Sequence, residues 1–231
     1  MIIQIYTTQT PEEGLALAAL GVDYIGITPS NKGLPGEVSD EQGRLIFEAI
    51  GNRAVRVALT VEEDLDVIAA MVKVVRPDVL HLCGNPDSMV SPEGAAELKR
   101  RIPGLKIMQA IPVIDSSALK VTEAYQSVAD YLILDSFSPT VGGVGATGFT
   151  HDWSLSRQIV LQSRLPVILA GGLSPENVAE AIHAVQPWGV DSLTRTNLPL
   201  EGRKFRKDLN LVKAFVENAR NAATDLPDRL I

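Results

Sequence analysis

Short runs of five or six mostly apolar residues, rich in valine and isoleucine, alternate along this chain with longer stretches that carry a helical pattern. The short runs are "IIQIY", "YIGIT", "VRVAL", "VLHLC", "KIMQAI", "YLILD", "PVILA" and "GVDSLT". Their apolar character is nearly continuous, which fits parallel strands buried on both faces. Several of the longer stretches open with helix-start chemistry. Thr10-Pro11-Glu12-Glu13 supplies an N-cap threonine, a proline at the first helical position and a glutamate placed to close a capping box. Ser39 with Gln42, and Ser174-Pro175-Glu176-Asn177, repeat that arrangement.

Eight βα pairs of about 25 to 30 residues each predict an α/β fold, a closed (β/α)8 TIM barrel with right-handed crossovers. A doubly wound open sheet is the alternative. Residues 1–223 are expected to form this single domain, with 224–231, "TDLPDRLI", as a loose tail.

Composition narrows the class of partner. Of 231 residues, 45% are apolar and 21% charged, enough for a sizeable core and too little polarity for disorder. A net charge of −7 disfavours nucleic acid or an anionic membrane as the main partner and leaves room for a local pocket that holds a small anion. No apolar run approaches the ~18 residues of a membrane span. The opening "MIIQIYTTQT" lacks a basic flank and a cleavage site, so the expected location is cytoplasmic. Cys83 is the single cysteine, which excludes an internal disulfide and a cysteine-based zinc site.

In a barrel the chemistry sits at the C-terminal ends of the strands, where Tyr6, Thr28, His81, Cys83, Asp115, Asp135, Thr194 and Arg195 are expected. Asp135 ends an apolar run just before a glycine-rich loop. It reads either as a turn aspartate or as an acid whose pKa desolvation raises toward the range for proton transfer. The loop "VGGVGATG", with Gly142, Gly143 and Gly145, offers bare amides for phosphate oxygens or a lid over a ligand. "LAGGLSPENV" places Gly171 and Gly172 before an expected helix start, a favourable setting for a phosphate. Thr194 and Arg195 would add to that site, Arg195 as a bidentate partner or, alternatively, as a rim arginine paired with an acid. His81 and Cys83 alternate on the fourth strand and so share a face. Each reads as a catalytic group or as a structural one. His81, His151, Asp115 and Asp135 show no metal-ligand spacing, so no metal is expected, and neither a Schiff-base lysine nor a dinucleotide fingerprint is evident.

"LILDS" with "GGVGATGFTHDW", then "PVILAGGLSPENVAEAI", "GVDSLT", "RKDLNLVKAFV" and the earlier "TPEEGLALAALGVDYIGI", resembles the phosphoribosylanthranilate isomerase family over nearly the whole chain. The resemblance implies a cofactor-independent Amadori rearrangement of a phosphoribosyl amine, with Asp135 as the acid that opens the ribose ring. It further implies Gly171 and Gly172 as the phosphate turn and Gly142, Gly143 and Gly145 as the loop after strand six. The family's cysteine base on the first strand is replaced by Tyr6. Its S-P-R clamp for the anthranilate carboxylate reads Leu34-Pro35-Gly36, its Q-L-H-G reads His81-Leu82-Cys83-Gly84, and its S-S-G reads Leu193-Thr194-Arg195. A phenol with a reference pKa near ~10 is a weak base, and losing a base commonly costs ~10² to 10⁴ in rate. The expected function is therefore an isomerase or related lyase on a phosphorylated sugar or sugar amine. Asp135 is the acid and Cys83 or His81 the base, in a monomer or homodimer that binds a small phosphorylated substrate. The family reaction with Tyr6 or Cys83 as substitute base, and a non-catalytic sugar-phosphate-binding protein, are the alternatives.

Overall fold

Eight parallel strands close on themselves in the computed structural model, which describes residues 1–138, 143–144, 150–201 and 204–226. The first six are β1 (Ile2–Ile5), β2 (Tyr24–Ile27), β3 (Val55–Thr60), β4 (Val79–Leu82), β5 (Lys106–Pro112) and β6 (Tyr131–Asp135). After β6 comes an antiparallel pair, β7 (Phe137–Ser138) with β8 (Gly143–Val144), and then the last two barrel strands, β9 (Val167–Leu169) and β10 (Gly189–Ser192). The barrel order is β1-β10-β9-β6-β5-β4-β3-β2, so β10 returns to β1 with Ile2 opposite Gly189 and Gln4 opposite Asp191. Closure leaves no free sheet edge within the barrel.

The near-continuous apolar runs follow from this geometry. Alternate residues face opposite sides of each strand: Ile3, Ile5, Leu132 and Leu134 join the layer under the helices, while Tyr6, Val57, Val79, Met108, Ile133 and Ile168 fill the barrel interior. Both faces are therefore apolar for different reasons.

Helices α1 (Pro11–Ala19), α2 (Asp40–Ile50), α3 (Leu65–Val75), α4 (Pro92–Arg101), α5 (Ser117–Tyr125), α6 (Trp153–Gln162), α7 (Val178–Val185) and α8 (Leu209–Thr224) surround the strands. Thr10 and Ser39 cap α1 and α2 as their positions predict, accepting from Glu13 N and Gln42 N, each at 3.2 Å. The capping box on α1 does not close. Glu13 instead accepts from the backbone of Gln9 at 2.8 Å and of Lys207 at 2.6 Å, joining the first βα unit to the last. The segment from Ser174 also differs from expectation. Asn177 Oδ1 accepts from Ser174 N at 2.8 Å and holds a turn, so α7 begins only at Val178. Beyond β10, a single 3₁₀ turn, η1 (Thr194–Thr196), leads into a hairpin of β11 (Asn197–Pro199) and β12 (Phe205–Lys207) that the hydrophobic pattern did not announce.

At the N-terminal end of the barrel, Tyr24, Tyr131 and Trp188 plug the interior, with Tyr131 stacked on Trp188 at a centroid distance of 5.5 Å. Three aspartates there precede alternate strands and tie each to its neighbour. Asp23 accepts from Ile3 N at 2.8 Å, Asp78 from Arg56 N at 2.9 Å and Asp130 from Ile107 N at 2.9 Å. Each also pairs with a cation: Arg220, Arg56, and Lys99 with Lys106, respectively.

Candidate active site

The opposite end of the barrel encloses a cavity, and the strand register decides which side chains enter it. Tyr6, His81 and Cys83 reach it from the β1 and β4 side, Asp135 from the end of β6, Gly171 and Gly172 from the turn after β9, and Thr194 and Arg195 from η1. Thr28 also lines it. Asp115 does not: its carboxylate accepts from Ser117 N at 2.7 Å and caps its own turn. His151 is likewise engaged outside any ligand set, with Nε2 2.7 Å from Ser156 Oγ.

Tyr6 and His81 form one unit. The phenol oxygen lies 2.6 Å from His81 Nδ1, both residues being buried. Burial drives the Tyr6 phenol well above its ordinary range, with Asp191, Cys83 and Asp135 adding repulsion of the phenolate. Burial also lowers His81 to about 3, so its imidazole stays neutral. With the phenol donating to Nδ1, the imidazole proton resides on Nε2, which is buried and has no partner among the described residues. Cys83 is pushed up to about 12 by burial and by Asp135, so it remains a thiol. Thr7, next to Tyr6, holds φ +62°, strained for a β-branched residue, and its hydroxyl donates to Tyr6 O at 2.7 Å.

Asp135 is half-buried, and burial raises it to about 7 against hydrogen bonds from Ser136 N at 2.7 Å and the Ser136 hydroxyl. An acid in that range can donate a proton at neutral pH and take it back.

A second carboxyl that the sequence reading passed over stands on β10. Asp191 is 6% exposed and points into the cavity. It is raised to about 8, first by burial and then by Asp135, against a hydrogen bond from Gln4 and the charge of Lys207. Its Oδ1 is buried without a hydrogen-bond partner among the described residues. The signal was the lone acid inside the apolar run "GVDSLT", whose inward direction emerges only from the register with Gln4.

The glycine turn has a backbone requirement. Gly171 and Gly172 take φ +83° and +63°, and a Cβ on Gly171 would lie 2.8 Å from His151 Nδ1. Beside the turn, Ser192 Oγ donates to Leu173 O at 2.8 Å. Because α7 starts only at Val178, the Gly171–Gly172 turn rather than a helix N-terminus lines this side of the cavity. Thr194 and Arg195 lie in η1 at the rim, where the charge of Arg195 acts on Glu176. Lys207 is buried beneath η1, donating to Leu193 O at 3.0 Å and Asn197 Oδ1 at 2.6 Å. Of the loop glycines, Gly143 pairs with Ser138 in the β7–β8 hairpin, and Gly142 and Gly145 lie outside the described residues.

Part of the cavity wall is apolar, formed by Leu34, Pro35, Leu59 and Val61. Gly36, where the resemblance expects an arginine, takes φ +66° and is closely packed, so any side chain there would have to displace its neighbours. A Cβ there would meet Phe205 of β12 at 2.6 Å.

The model of a family described as N-(5'-phosphoribosyl)anthranilate (PRA) isomerase matches residues 4–218. The chain belongs to this family. Among curated relatives, the N-(5'-phosphoribosyl)anthranilate isomerase of Methanocella arvoryzae is 36% identical over 218 residues, covering 94% of this chain and 97% of its own. That of Beijerinckia indica is 35% identical over 221 residues, covering 95% and 94%. The crystal structure of phosphoribosyl anthranilate isomerase from Thermotoga maritima superposes with a TM-score of 0.77 at 27% identity, covering 96% of this chain and 100% of that one. A phosphoribosyl anthranilate isomerase in complex with reduced 1-(o-carboxyphenylamino)-1-deoxyribulose 5-phosphate gives 0.74 at 25% identity, with 96% and 100% covered. The family resemblance and the barrel expected from the sequence are thus both found.

Proposed function

We propose that the chain isomerises an N-substituted 5-phosphoribosylamine from aldose to ketose form, with N-(5'-phosphoribosyl)anthranilate as the substrate that family membership supports. The observation that carries this reading is Asp135, a carboxyl raised to about 7, in one cavity with the Gly171–Gly172 turn. Phosphate on the turn amides and near Arg195 would leave the sugar ring within reach of the acid, which opens it by protonating the ring oxygen. The rearrangement moves hydrogen within one molecule, so proton transfers suffice and no cofactor is called upon. We take the protein to work on this small phosphorylated substrate as a monomer or homodimer in the cytoplasm, without nucleic acid or membrane. No helix among the described residues is long and apolar enough to cross a membrane.

A second reading rests on the apolar wall. Leu34, Pro35, Leu59 and Val61 offer no charge to an aromatic carboxylate, and nearby Lys32 is paired with Glu62 at 2.9 Å. That composition favours a phosphoribosylamine whose nitrogen substituent is uncharged.

Thermal melting separates the two. A ligand at 100 times its Kd stabilises by about 2.7 kcal/mol, a rise of about 5 to 10 °C for a chain of this size. Reduced 1-(o-carboxyphenylamino)-1-deoxyribulose 5-phosphate is expected to give such a rise, with conversion of N-(5'-phosphoribosyl)anthranilate by the same preparation. A rise with ribose 5-phosphate but none with the carboxylated analogue selects the second reading. No rise with either and no turnover overturn both.

A further inference from the structure

We propose that Asp191 is the general base that removes the C2 proton, working opposite Asp135 across the turn that follows β9. This assignment rests on the isomerase reading above.

The placement comes from strand order. β6, β9 and β10 are consecutive around the barrel, so Asp135 and Asp191 stand on the two strands that flank the one ending in Gly171 and Gly172. A phosphate held at that turn puts the attached sugar between the two carboxyls. Asp191 is buried and lines the cavity, and its Oδ1 has no hydrogen-bond partner among the described residues. A buried carboxylate oxygen left unpaired is costly, and in a cavity it is a vacancy for a substrate atom.

The other candidates hold their protons or cannot keep a new one. Tyr6 lies 2.6 Å from His81 Nδ1 and its phenol is well above its ordinary range. His81 has that nitrogen engaged, and burial holds it at about 3. Cys83 stands at about 12. Asp191, at about 8, is the group that can exchange a proton near neutral pH alongside Asp135. It faces Asp135 and Tyr6 within the cavity, Gln4 on β1 and Lys207 on β12. Asp135 disfavours its charge, whereas Gln4 and Lys207 favour it.

Of the two singly protonated forms of the pair, the one that reacts carries its proton on Asp135 and the charge on Asp191; because Asp191 stands higher, this form is the less populated of the two at rest. Transfer to the ring oxygen breaks the C1–O bond, turns the ring oxygen into the 4-hydroxyl and leaves an iminium at C1. That cation favours the charged form of Asp191 at the moment a base is needed. Asp191 then takes the C2 proton. The C–H electron pair becomes the C1=C2 bond, and the C=N pair returns to nitrogen, giving a neutral enolamine. Tautomerisation adds one proton at C1 and releases one from the 2-hydroxyl, so the two acids end with the single proton they began with.

The test uses the full chain with N-(5'-phosphoribosyl)anthranilate, unlabelled and deuterated at C2. Asp191→Asn keeps the shape of the side chain, and a melting temperature no lower than that of the unmodified protein confirms folding. The expected result is a fall in kcat of about 10² to 10⁴. KM and the melting shift with the reduced carboxyphenylamino analogue should stay within about threefold of the unmodified values. Asp191→Glu should recover part of the rate together with the C2 isotope effect. Retention of more than a third of kcat in Asp191→Asn overturns the assignment, as does a loss confined to KM, which would mark a binding role. Abolition of the isotope-sensitive step by Tyr6→Phe but not by Asp191→Asn also overturns it. Absence of turnover and of analogue binding in the unmodified protein defeats the isomerase reading itself, and this assignment with it.

Discussion

The two ends of the barrel use the same residue type in opposite ways. At the N-terminal end, burial works against Asp78 and Asp130 as charges, yet both are held below the ordinary carboxylate range. For Asp78 the guanidinium and backbone amide of Arg56 outweigh the burial. For Asp130 the Ile107 amide with Lys99 and Lys106 does so. At the C-terminal end, Asp135 and Asp191 are raised to about 7 and about 8 because burial meets no such partners. Among the described residues, Asp135 keeps only its neighbour Ser136, and Asp191 only Gln4 and the distant charge of Lys207. Partners, rather than depth, decide the sign of the shift. One end uses its acids for register between strands, and in the mechanism proposed above the other supplies them for proton transfer.

The largest effect that would sharpen this contrast belongs to Asp135. Asp135→Asn should lower turnover by about 10² to 10⁴ while leaving the fold intact, as single-turnover kinetics and a melting curve would report. Near-full activity in that variant would remove the acid from the mechanism.

Next comes the pH dependence of stability. Below the unfolded-state pKa of about 3.9, Asp191 is neutral in both states and costs nothing. Between there and about 8 the unfolded chain ionises while the folded one does not, so the unmodified protein loses stability relative to Asp191→Asn as pH rises. Above that the difference levels off, at a few kcal/mol in favour of the variant. Urea unfolding at pH 4, 6 and 9 should show the gap widening, and a gap that shrinks with pH would contradict the raised pKa of this acid.

The smallest effect is at the other end. Asp130→Ala should cost about 1 to 3 kcal/mol by leaving the Ile107 amide and two lysines without their acceptor. Turnover should be unchanged. Because the folded pKa of Asp130 is depressed, its contribution is present above the unfolded value and fades as pH falls through the folded one, the reverse of Asp191. A loss of activity at constant stability would break the division of labour between the two ends.

Much of this was readable beforehand because barrel strands are buried on both faces and announce themselves as apolar runs. Asp135 was readable for a related reason: it is the polar residue that ends such a run. Asp191 was not, since an acid in the middle of "GVDSLT" gains its meaning from the neighbouring strand, and pairing with Gln4 is not a local property. The late start of α7 was hidden by competition, Asn177 being as good a turn former as Ser174 is a cap. The β11–β12 hairpin lies in a mixed stretch without strand alternation. It is nevertheless the element whose Phe205 closes position 36 to an arginine. The absence of that arginine could be read from the sequence, but what occupies its place could not.

Pairing of β1 with β10 has a consequence for the chain as it is being made. During synthesis β1 emerges before the other barrel strands, and its outer edge stays unpaired until residues Gly189–Ser192 have left the ribosome. For that interval a strand of four residues, three of them isoleucine, offers its backbone to any neighbouring chain. Escape from edge-to-edge association during translation therefore depends on how soon the last barrel strand arrives, and a pause late in the message would prolong the hazard.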